Sequence, residues 1–238
     1  MKFIKEDNPM KRNTVRLTAL ILALMMALCA CGGKDTVSGT VTPAATEAPE
    51  KEMSLGRIEG GIYTNDYVGF TLTLDDSWVF YSADELQDLP DNVNEMFKDS
   101  KLGEAMDGVE QFTDMMAESV EQMASINVLC QKMDMQTRLL YATMDDNAIV
   151  DLMLDQQDLL IEAYTSAGIM VEKMEKANVT FLGKDRVALK TYSTIQNIPY
   201  ITLQVFEYHL GKYSVTITFG SYIDDTTDSL VALCSPIA

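Results

Sequence analysis

The most constraining feature of this sequence is a series of five segments in its last third that are rich in β-branched and aromatic residues. The segments are residues 169–174, 178–182, 186–195, 200–210 and 212–219. Short turns separate them, such as LGKD at 182–185 and LGK at 210–212. This composition favours strands, and turns this short join antiparallel neighbours. The sequence therefore predicts an antiparallel meander.

Helical patterns precede the meander. Ser82 and Glu85 form a capping box that predicts the start of a short helix, which Pro90 would end. A longer amphipathic helix is predicted over residues 147–167, with Gly168 placed at its C-terminal cap. Residues 125–135, which lie before the longer helix, favour a strand.

Residues 104–123 also show helical spacing. Apolar residues recur three or four positions apart and would face the core: Val109, Phe112, Met116, Val120 and Met123. Acidic residues would occupy the opposite face: Glu104, Asp107, Glu110, Asp114, Glu118 and Glu121. We therefore expect a helix whose acidic face is solvated.

Together these elements predict an α+β fold, with helices packed on an antiparallel sheet in one domain over residues 58–238. The domain would open with a β-hairpin over residues 60–78, where Phe70 to Leu74 alternates between apolar and polar residues. A last helix, capped by Asp224 or Asp225, would reach Cys234.

The N-terminus carries five basic residues and then an apolar run of 14 residues, Leu17–Ala30. That run is short of the roughly 18 residues that a membrane-spanning helix needs. The stretch Leu28-Cys29-Ala30-Cys31 resembles the lipobox of bacterial lipoproteins. The resemblance implies that residues 1–30 are a signal peptide and that Cys31 becomes the lipidated N-terminus, anchored in the membrane and facing away from the cytoplasm. Met10 is an alternative start of the same signal.

Two other interpretations of this segment are weaker. A buried helix or a single-pass anchor does not explain the basic flank and the short run. A C-x-C metal site would need a second cysteine pair or a histidine cluster to complete four ligands, and the sequence contains neither.

Residues 31–57 are rich in Gly, Thr, Pro and Ala and lack aromatic residues, so we expect a flexible tether. Cleavage after residue 30 removes five bases and two acids, which leaves 13 bases and 34 acids and a formal net charge of −21. Such a charge repels nucleic acid, which we exclude as a partner. Cys130 and Cys234 remain, and buried free thiols are a commoner outcome than a disulfide.

Catalytic and cofactor motifs are lacking. One histidine, His209, cannot complete an H-E-x-x-H zinc site, Ser221 lacks a G-x-S-x-G context, and no phosphate-binding glycine loop occurs. We therefore expect no cofactor. The abundant carboxylates leave open a hydrolase that uses a pair of acids.

Metal binding has two weak candidates. Asp145–Asp146 and Asp224–Asp225 are acidic, but their positions favour helix capping over calcium binding. The methionine pairs that could bind copper are explained as well by core packing: Met133 with Met135, and Met170 with Met174.

Aromatic residues supply the candidate binding sites. The only tryptophan, Trp78, is interpreted as a core anchor, with an exposed binding residue as the alternative. Strand alternation places Tyr200, Phe206 and Tyr208 on one face. That face is the predicted partner-binding surface if it is exposed, and part of the core if a helix covers it.

A weak pattern at the start of the domain resembles PsbP/Mog1-like domains. It consists of Tyr63, Asn65, Tyr67, Gly69, Phe70, Leu72, Leu74 and Trp78. The chain departs from the family in having Asp75-Asp76-Ser77, where a Pro and a Gly are more common, and in its acidic segment at 104–123. The resemblance implies a non-catalytic domain that binds or assists other proteins, here an envelope protein partner.

Two alternative functions remain. One is a hydrolase that uses a pair of carboxylates. The other is a two-lobed solute-binding protein, which is weaker because that architecture needs alternating strands and helices.

Overall fold

A computed structural model describes residues 52–87, 108–208 and 211–237. It confirms an α+β fold in which helices pack on antiparallel sheets. The large sheet has seven strands in the order β4-β5-β6-β10-β9-β8-β7. Its strands are β4 Val79–Phe80, β5 Gln111–Ser119, β6 Ala124–Lys132, β7 Ile169–Phe181, β8 Lys184–Ile195, β9 Ile198–Glu207 and β10 Tyr213–Tyr222.

The predicted meander forms β7 to β10 of this sheet, with every neighbouring pair antiparallel. The two predicted strands over residues 169–182 are one continuous strand, β7, because residues 175–177 between them pair with β8 in unbroken register. Leu182 and Gly183 then turn the chain with φ values of 51° and 75°. Two successive positive φ values suit the right-handed twist of the flanking strands.

The predicted helix over residues 104–123 is wrong in the part that the structure describes. Residues Gln111–Ser119 form β5, which pairs with β6, and the register shifts between Thr113 and Met115. The shift hides the two-residue alternation, and Met115 and Met116 are buried on opposite faces of the sheet. A strand that is buried on both faces and bulged has apolar spacings that imitate a helix. Residues 104–107 lie outside the described part.

Three helices follow β6: α1 Met135–Tyr141, α2 Asp146–Asp155 and α3 Gln157–Ser166. The single helix predicted over 147–167 is therefore divided at Gln156. The predicted strand over 125–135 ends at Lys132, because Asp134 accepts a hydrogen bond from the Thr137 amide and starts α1. Gly168 follows α3 with a φ of 79°, as the cap prediction requires.

The capping box at Ser82 is confirmed. Its backbone amide donates to Glu85 at 3.0 Å, and residues 83–87 are helical. Pro90, which was expected to end that helix, lies outside the described residues.

A second, smaller sheet packs on the face of the large sheet opposite the helices. It has four strands in the order β1-β2-β3-β11, namely β1 Arg57–Glu59, β2 Ile62–Asn65, β3 Phe70–Thr73 and β11 Cys234–Pro236. β2 and β3 are the predicted opening hairpin. Strand β1 begins at Arg57, within the range assigned to the tether.

The last helix, α4 Thr227–Val231, is shorter than predicted. It stops before Cys234, which begins β11 and pairs with Leu72 of β3. The N-cap residue of α4 is Thr226, so the predicted cap at Asp224 or Asp225 is wrong. Asp225, one residue before the cap, accepts a hydrogen bond from the amide of Thr227 at 3.3 Å.

The domain therefore has three layers and two cores. Helices α2 and α3 cover one face of the large sheet with Ile149, Val150, Met153, Leu160 and Tyr164. The small sheet and α4 cover the other face. Trp78 is buried in the second core, so its interpretation as a core anchor is confirmed. In the described ranges, the helices are all too short or too polar to cross a membrane.

Candidate binding surface

The structure corrects the predicted partner-binding face of β9. Tyr200, Phe206 and Tyr208 do lie on one face, but all three are buried in the core beneath the helices. A partner cannot reach them without displacing the helix layer. The alternative given by the sequence, that a helix covers this face, is the one that the structure shows.

Tyr200 lies in the core at the end of the large sheet where β9 begins and β10 ends. Its hydroxyl lies 3.2 Å from that of Ser125, and its ring stands 4.4 Å from the ring of Tyr222, the cross-strand neighbour. Gly220 makes this possible, since a Cβ there would meet the Tyr200 hydroxyl at 2.3 Å. Burial raises the pKa of Tyr200 to about 12, so the phenol is protonated at neutral pH.

Tyr208 belongs to an ion-pair network between the helices and the sheet. Its hydroxyl donates to Asp146 at 3.2 Å, and Arg186 joins Asp146 to Glu207. These two carboxylates converge, as a hydrolase would require, but both are bound by a guanidinium. The pKa of Asp146 is lowered, because the hydrogen bond and charge of Arg186 outweigh the opposing effect of burial. A general acid needs the opposite shift.

The expected acidic face is also corrected. Asp114 lies at the register shift of β5 and is partly buried, where its carboxylate accepts hydrogen bonds from Tyr63 at 2.5 Å and Asn65 at 2.9 Å. The amide of Gly56 donates to the same carboxylate at 3.0 Å. Asp114 therefore joins the small sheet to the large one. Glu110 and Glu121 are exposed.

The expected metal candidates serve other roles. Asp145 caps α2 by accepting from the Ala148 amide at 2.9 Å, as predicted. In each methionine pair one side chain is buried and the other is exposed: Met133 and Met174 are buried, and Met135 and Met170 are exposed. Among the residues that the structure describes, His, Cys, Asp and Glu side chains form no group of three that could hold a metal ion.

Cys130 and Cys234 are both free and buried, which agrees with the preferred interpretation of buried thiols. Burial raises the pKa of the Cys130 thiol and raises that of Cys234 to about 12. Both thiols are therefore protonated and unreactive at neutral pH. Cys31 and His209 lie outside the described residues.

An exposed apolar surface lies at the same end of the large sheet as Tyr200, where β9 begins and β10 ends. We call it the apolar rim, and it consists of Val120, Met123, Ile198 and Ile223. Val120 is 82% exposed and Ile223 is 56% exposed. These residues lie in the β5–β6 turn, at the first residue of β9 and in the loop after β10, and the three segments meet at the end of β10. There the Tyr222 amide donates to Met123 at 2.8 Å, and the Ile223 amide donates to Pro199 at 2.9 Å.

Side-chain hydrogen bonds hold two of these loops. In the β5–β6 turn, Ser119 accepts from the Gln122 amide at 3.1 Å, and the Gln122 side chain donates to Ser77 at 2.9 Å. After β10, Asp225 forms an ion pair with Lys190 at 2.5 Å. A surface that is ordered before binding loses less entropy when a partner arrives.

Backbone strain is concentrated at the same place. Met123, Gln196, Asn197 and Ile223 all have positive φ values, from 50° to 72°. Gln196 and Asn197 form a two-residue hairpin turn in which positive values are normal. Ile223 is different, since a β-branched residue at a φ of 72° is a steric outlier. Strain of this kind is often found at functional sites.

The sites predicted from the sequence do not include the apolar rim, although the sequence contains a signal for it. Val120, Met123 and Ile198 border turns, and Ile223 follows the last strand of the large sheet. Apolar residues at turn positions interrupt the polar composition that turns normally have. Helical spacing instead predicts Val120 and Met123 in the core stripe of a helix that the structure does not contain in its described part.

No family model matches the chain, and no curated protein matches it. Among solved structures, it is similar to the solution structure of cyanobacterial PsbP (CyanoP) from Synechocystis sp. PCC 6803. The TM-score is 0.38 and the sequence identity is 8%, over 82% of this chain and 92% of that chain. At this identity the likeness concerns the fold alone.

Proposed function

We propose that the chain is a lipid-anchored domain that faces away from the cytoplasm and binds an envelope protein without catalysing a reaction. The anchor is Cys31, on the strength of its lipobox-like context. The observation that supports the binding function is the apolar rim, where four apolar side chains are exposed on two hydrogen-bonded loops and at the start of β9. Exposed apolar groups that lie together mark interaction sites more often than chance placement does.

The charge around the rim indicates the partner's chemistry. Glu121 and Asp224 are exposed beside Met123 and Ile223, and the mature chain carries a formal net charge of −21. A complementary partner would present an apolar centre with basic residues around it. Its association would be faster at low salt, because charge complementarity mainly raises the association rate.

The anchor increases the effect of a weak surface. About 20 residues separate Cys31 from Glu52, and a random coil of that length spans about 25 Å on average. Partners in the same membrane would then meet the domain at high effective concentration, so modest affinity suffices.

The test is site-specific photocrosslinking in intact cells. A photoreactive amino acid at Val120 should give one discrete adduct with an envelope protein. The same group at Lys184, which is exposed at the start of β8, should not give that adduct. Adding Ile223→Asp should remove the Val120 adduct, and Cys31→Ser should lower its yield.

Two outcomes would reject this proposal. One is an identical adduct pattern from Val120 and Lys184. The other is turnover of an envelope substrate, such as peptidoglycan fragments, that disappears when one carboxylate is replaced while the domain stays folded.

A further inference from the structure

Helix α1 exposes the side chains that a helix on a core usually buries. Its buried residues are Thr137 and Tyr141, whereas Met135 is 63% exposed, Leu139 is 59% exposed and Leu140 is also exposed. Met135 and Leu139 are four residues apart and therefore share one stripe of the helix. Tyr141 fixes which face turns inward, since its ring packs edge-on against Tyr208 at 5.9 Å.

Basic residues surround this apolar stripe. Lys132 ends β6 just before α1, Arg138 lies within α1, and Lys212 accepts a hydrogen bond at its carbonyl from the Met133 amide at 2.8 Å. The neighbouring acids are engaged locally: Glu110 pairs with Lys132 at 2.7 Å, and Asp134 caps α1. Three bases therefore face two acids around α1, and Glu110 neutralises one of the bases. The full chain has 18 bases and 36 acids, so this end of the domain is less acidic than the chain as a whole.

The tether joins the domain near the same end. Strands β6 and β10 pair with Lys132 opposite Tyr213, and the Tyr213 amide donates to the hydroxyl of Tyr67 in the β2–β3 turn. Gly56, close to the start of the described chain, donates to Asp114 of β5. The apolar rim lies at the opposite end of β6 and β10, beyond Ala124 and Tyr222.

From these observations we infer that α1 contacts the surface of the lipid bilayer and orients the domain, an inference that rests on the proposed lipid anchor at Cys31. Apolar side chains with Lys and Arg beside them are the composition of helices that lie in the membrane interface. A strongly acidic domain is repelled least by an anionic bilayer at a face where acids do not outnumber bases. The short tether keeps this face near the membrane.

The function of this contact is orientation. A seven-residue helix with three apolar side chains supplies little binding energy of its own, and the acyl chains hold the protein at the membrane. With α1 against the lipid, the apolar rim at the far end of the sheet faces away from the bilayer, where a partner can reach it.

The experiment uses the full lipidated protein reconstituted in vesicles of phosphatidylethanolamine and phosphatidylglycerol. An environment-sensitive fluorophore is attached at Leu139→Cys and, in a matched protein, at Val120→Cys in the apolar rim. The buried thiols of Cys130 and Cys234 do not compete for the label in the folded domain. Brominated lipids should quench the label at position 139 and leave the label at position 120 unquenched.

A second pair of variants separates the contact from folding. With the label moved to Met135→Cys, the double substitution Leu139→Asp and Leu140→Asp should abolish quenching, while Val120→Asp should not change it. The side chains replaced in these variants are all exposed, namely Val120, Met135, Leu139 and Leu140. We therefore expect these proteins to unfold at the same temperature as wild type.

The outcomes distinguish the contact from the anchor. A protein that stays in the membrane fraction while its label at 139 remains unquenched would overturn the inference and leave the anchor intact. Equal quenching at 139 and 120 would also overturn it, since the domain would have no preferred orientation. A protein absent from the membrane fraction would refute both the anchor and the orientation.

Discussion

Arg186 of β8 and Asp146 in the first turn of α2 form a two-point ion pair that joins the helix layer to the large sheet. The guanidinium Nε lies 2.5 Å from Oδ2 of Asp146, and Nη2 lies 3.0 Å from Oδ1. The two side chains are only 15% and 21% exposed, and Arg186 also donates to Glu207 and to the Phe206 carbonyl. The guanidinium therefore donates four hydrogen bonds within the fold.

Replacing Arg186 should destabilise the domain strongly. Arg186→Met leaves Asp146 and Glu207 without their cation in a poorly solvated place, so we expect a loss of about 3 kcal/mol in the free energy of unfolding. The matched control is Lys176→Met, which removes an exposed ion pair with Asp151 and should cost less than about 1 kcal/mol. Urea unfolding monitored by circular dichroism measures both. Equal losses in the two variants would contradict the structural role of Arg186.

Acid should weaken the same contact. Burial opposes ionisation of Asp146, but Arg186 more than offsets this effect, and the pKa of Asp146 is lowered in the folded state. An acid with a lowered folded pKa adds stability above its unfolded pKa of about 4, and that stability is lost as the pH falls further. The urea midpoint of wild type should therefore fall below about pH 4 more steeply than that of Asp146→Asn. Parallel curves would show that Asp146 does not contribute.

Gly220 should not tolerate a side chain. In Gly220→Ala the new Cβ would lie 2.3 Å from the Tyr200 hydroxyl and 2.7 Å from Oγ of Ser125, and the buried ring has no room to move. We expect a loss of about 1–3 kcal/mol in the free energy of unfolding. Tyr200→Phe removes the closest contact, so the double variant should lose less than the sum of the two single losses. Strict additivity would mean that these two residues do not interact.

Counting reactive thiols tests the anchor at Cys31. The full chain contains four cysteines, of which Cys29 leaves with the signal peptide and Cys31 becomes a thioether in the proposed mature form. The isolated mature protein should show two thiols in guanidinium and almost none when folded, because Cys130 and Cys234 are buried with raised pKa values. Four thiols in the unfolded protein would show that the chain was neither cleaved nor acylated.

Relieving the strain at Ile223 should separate stability from binding. A β-branched residue in the left-handed region costs about 1–2 kcal/mol, whereas asparagine adopts that region readily. Ile223→Asn should therefore raise the free energy of unfolding by about 1 kcal/mol and also reduce the photocrosslinking adduct formed from Val120. Ile198→Asn, which makes the same side-chain change at a residue without a positive φ, should not raise stability. A lower stability of Ile223→Asn would contradict the strain.

Local sequence determined the elements whose signals are local. The composition and turns of residues 169–219 are sufficient for β7 to β10, and Asp145 and Gly168 mark the two ends of the helical segment between α1 and β7. Each of these signals depends on a residue's own conformational preference or on hydrogen bonds a few residues away. The lipobox-like stretch is also local, and it leads to a proposal about Cys31.

Only the tertiary structure decided what Asp114 and Tyr200 do. Asp114 looked like part of a solvated helix face, but a register shift turns it towards Tyr63 and Asn65, partners about 50 residues earlier in the chain. Tyr200 alternates correctly on β9, yet alternation does not reveal which face of a sheet will be covered. Helices α2 and α3 cover that face by burying Ile149, Val150 and Tyr164 against it, and Asp146 binds Arg186 across 40 residues. Burial depends on such long-range contacts, so the exposed surface moved from Tyr200, Phe206 and Tyr208 to the loops of the apolar rim.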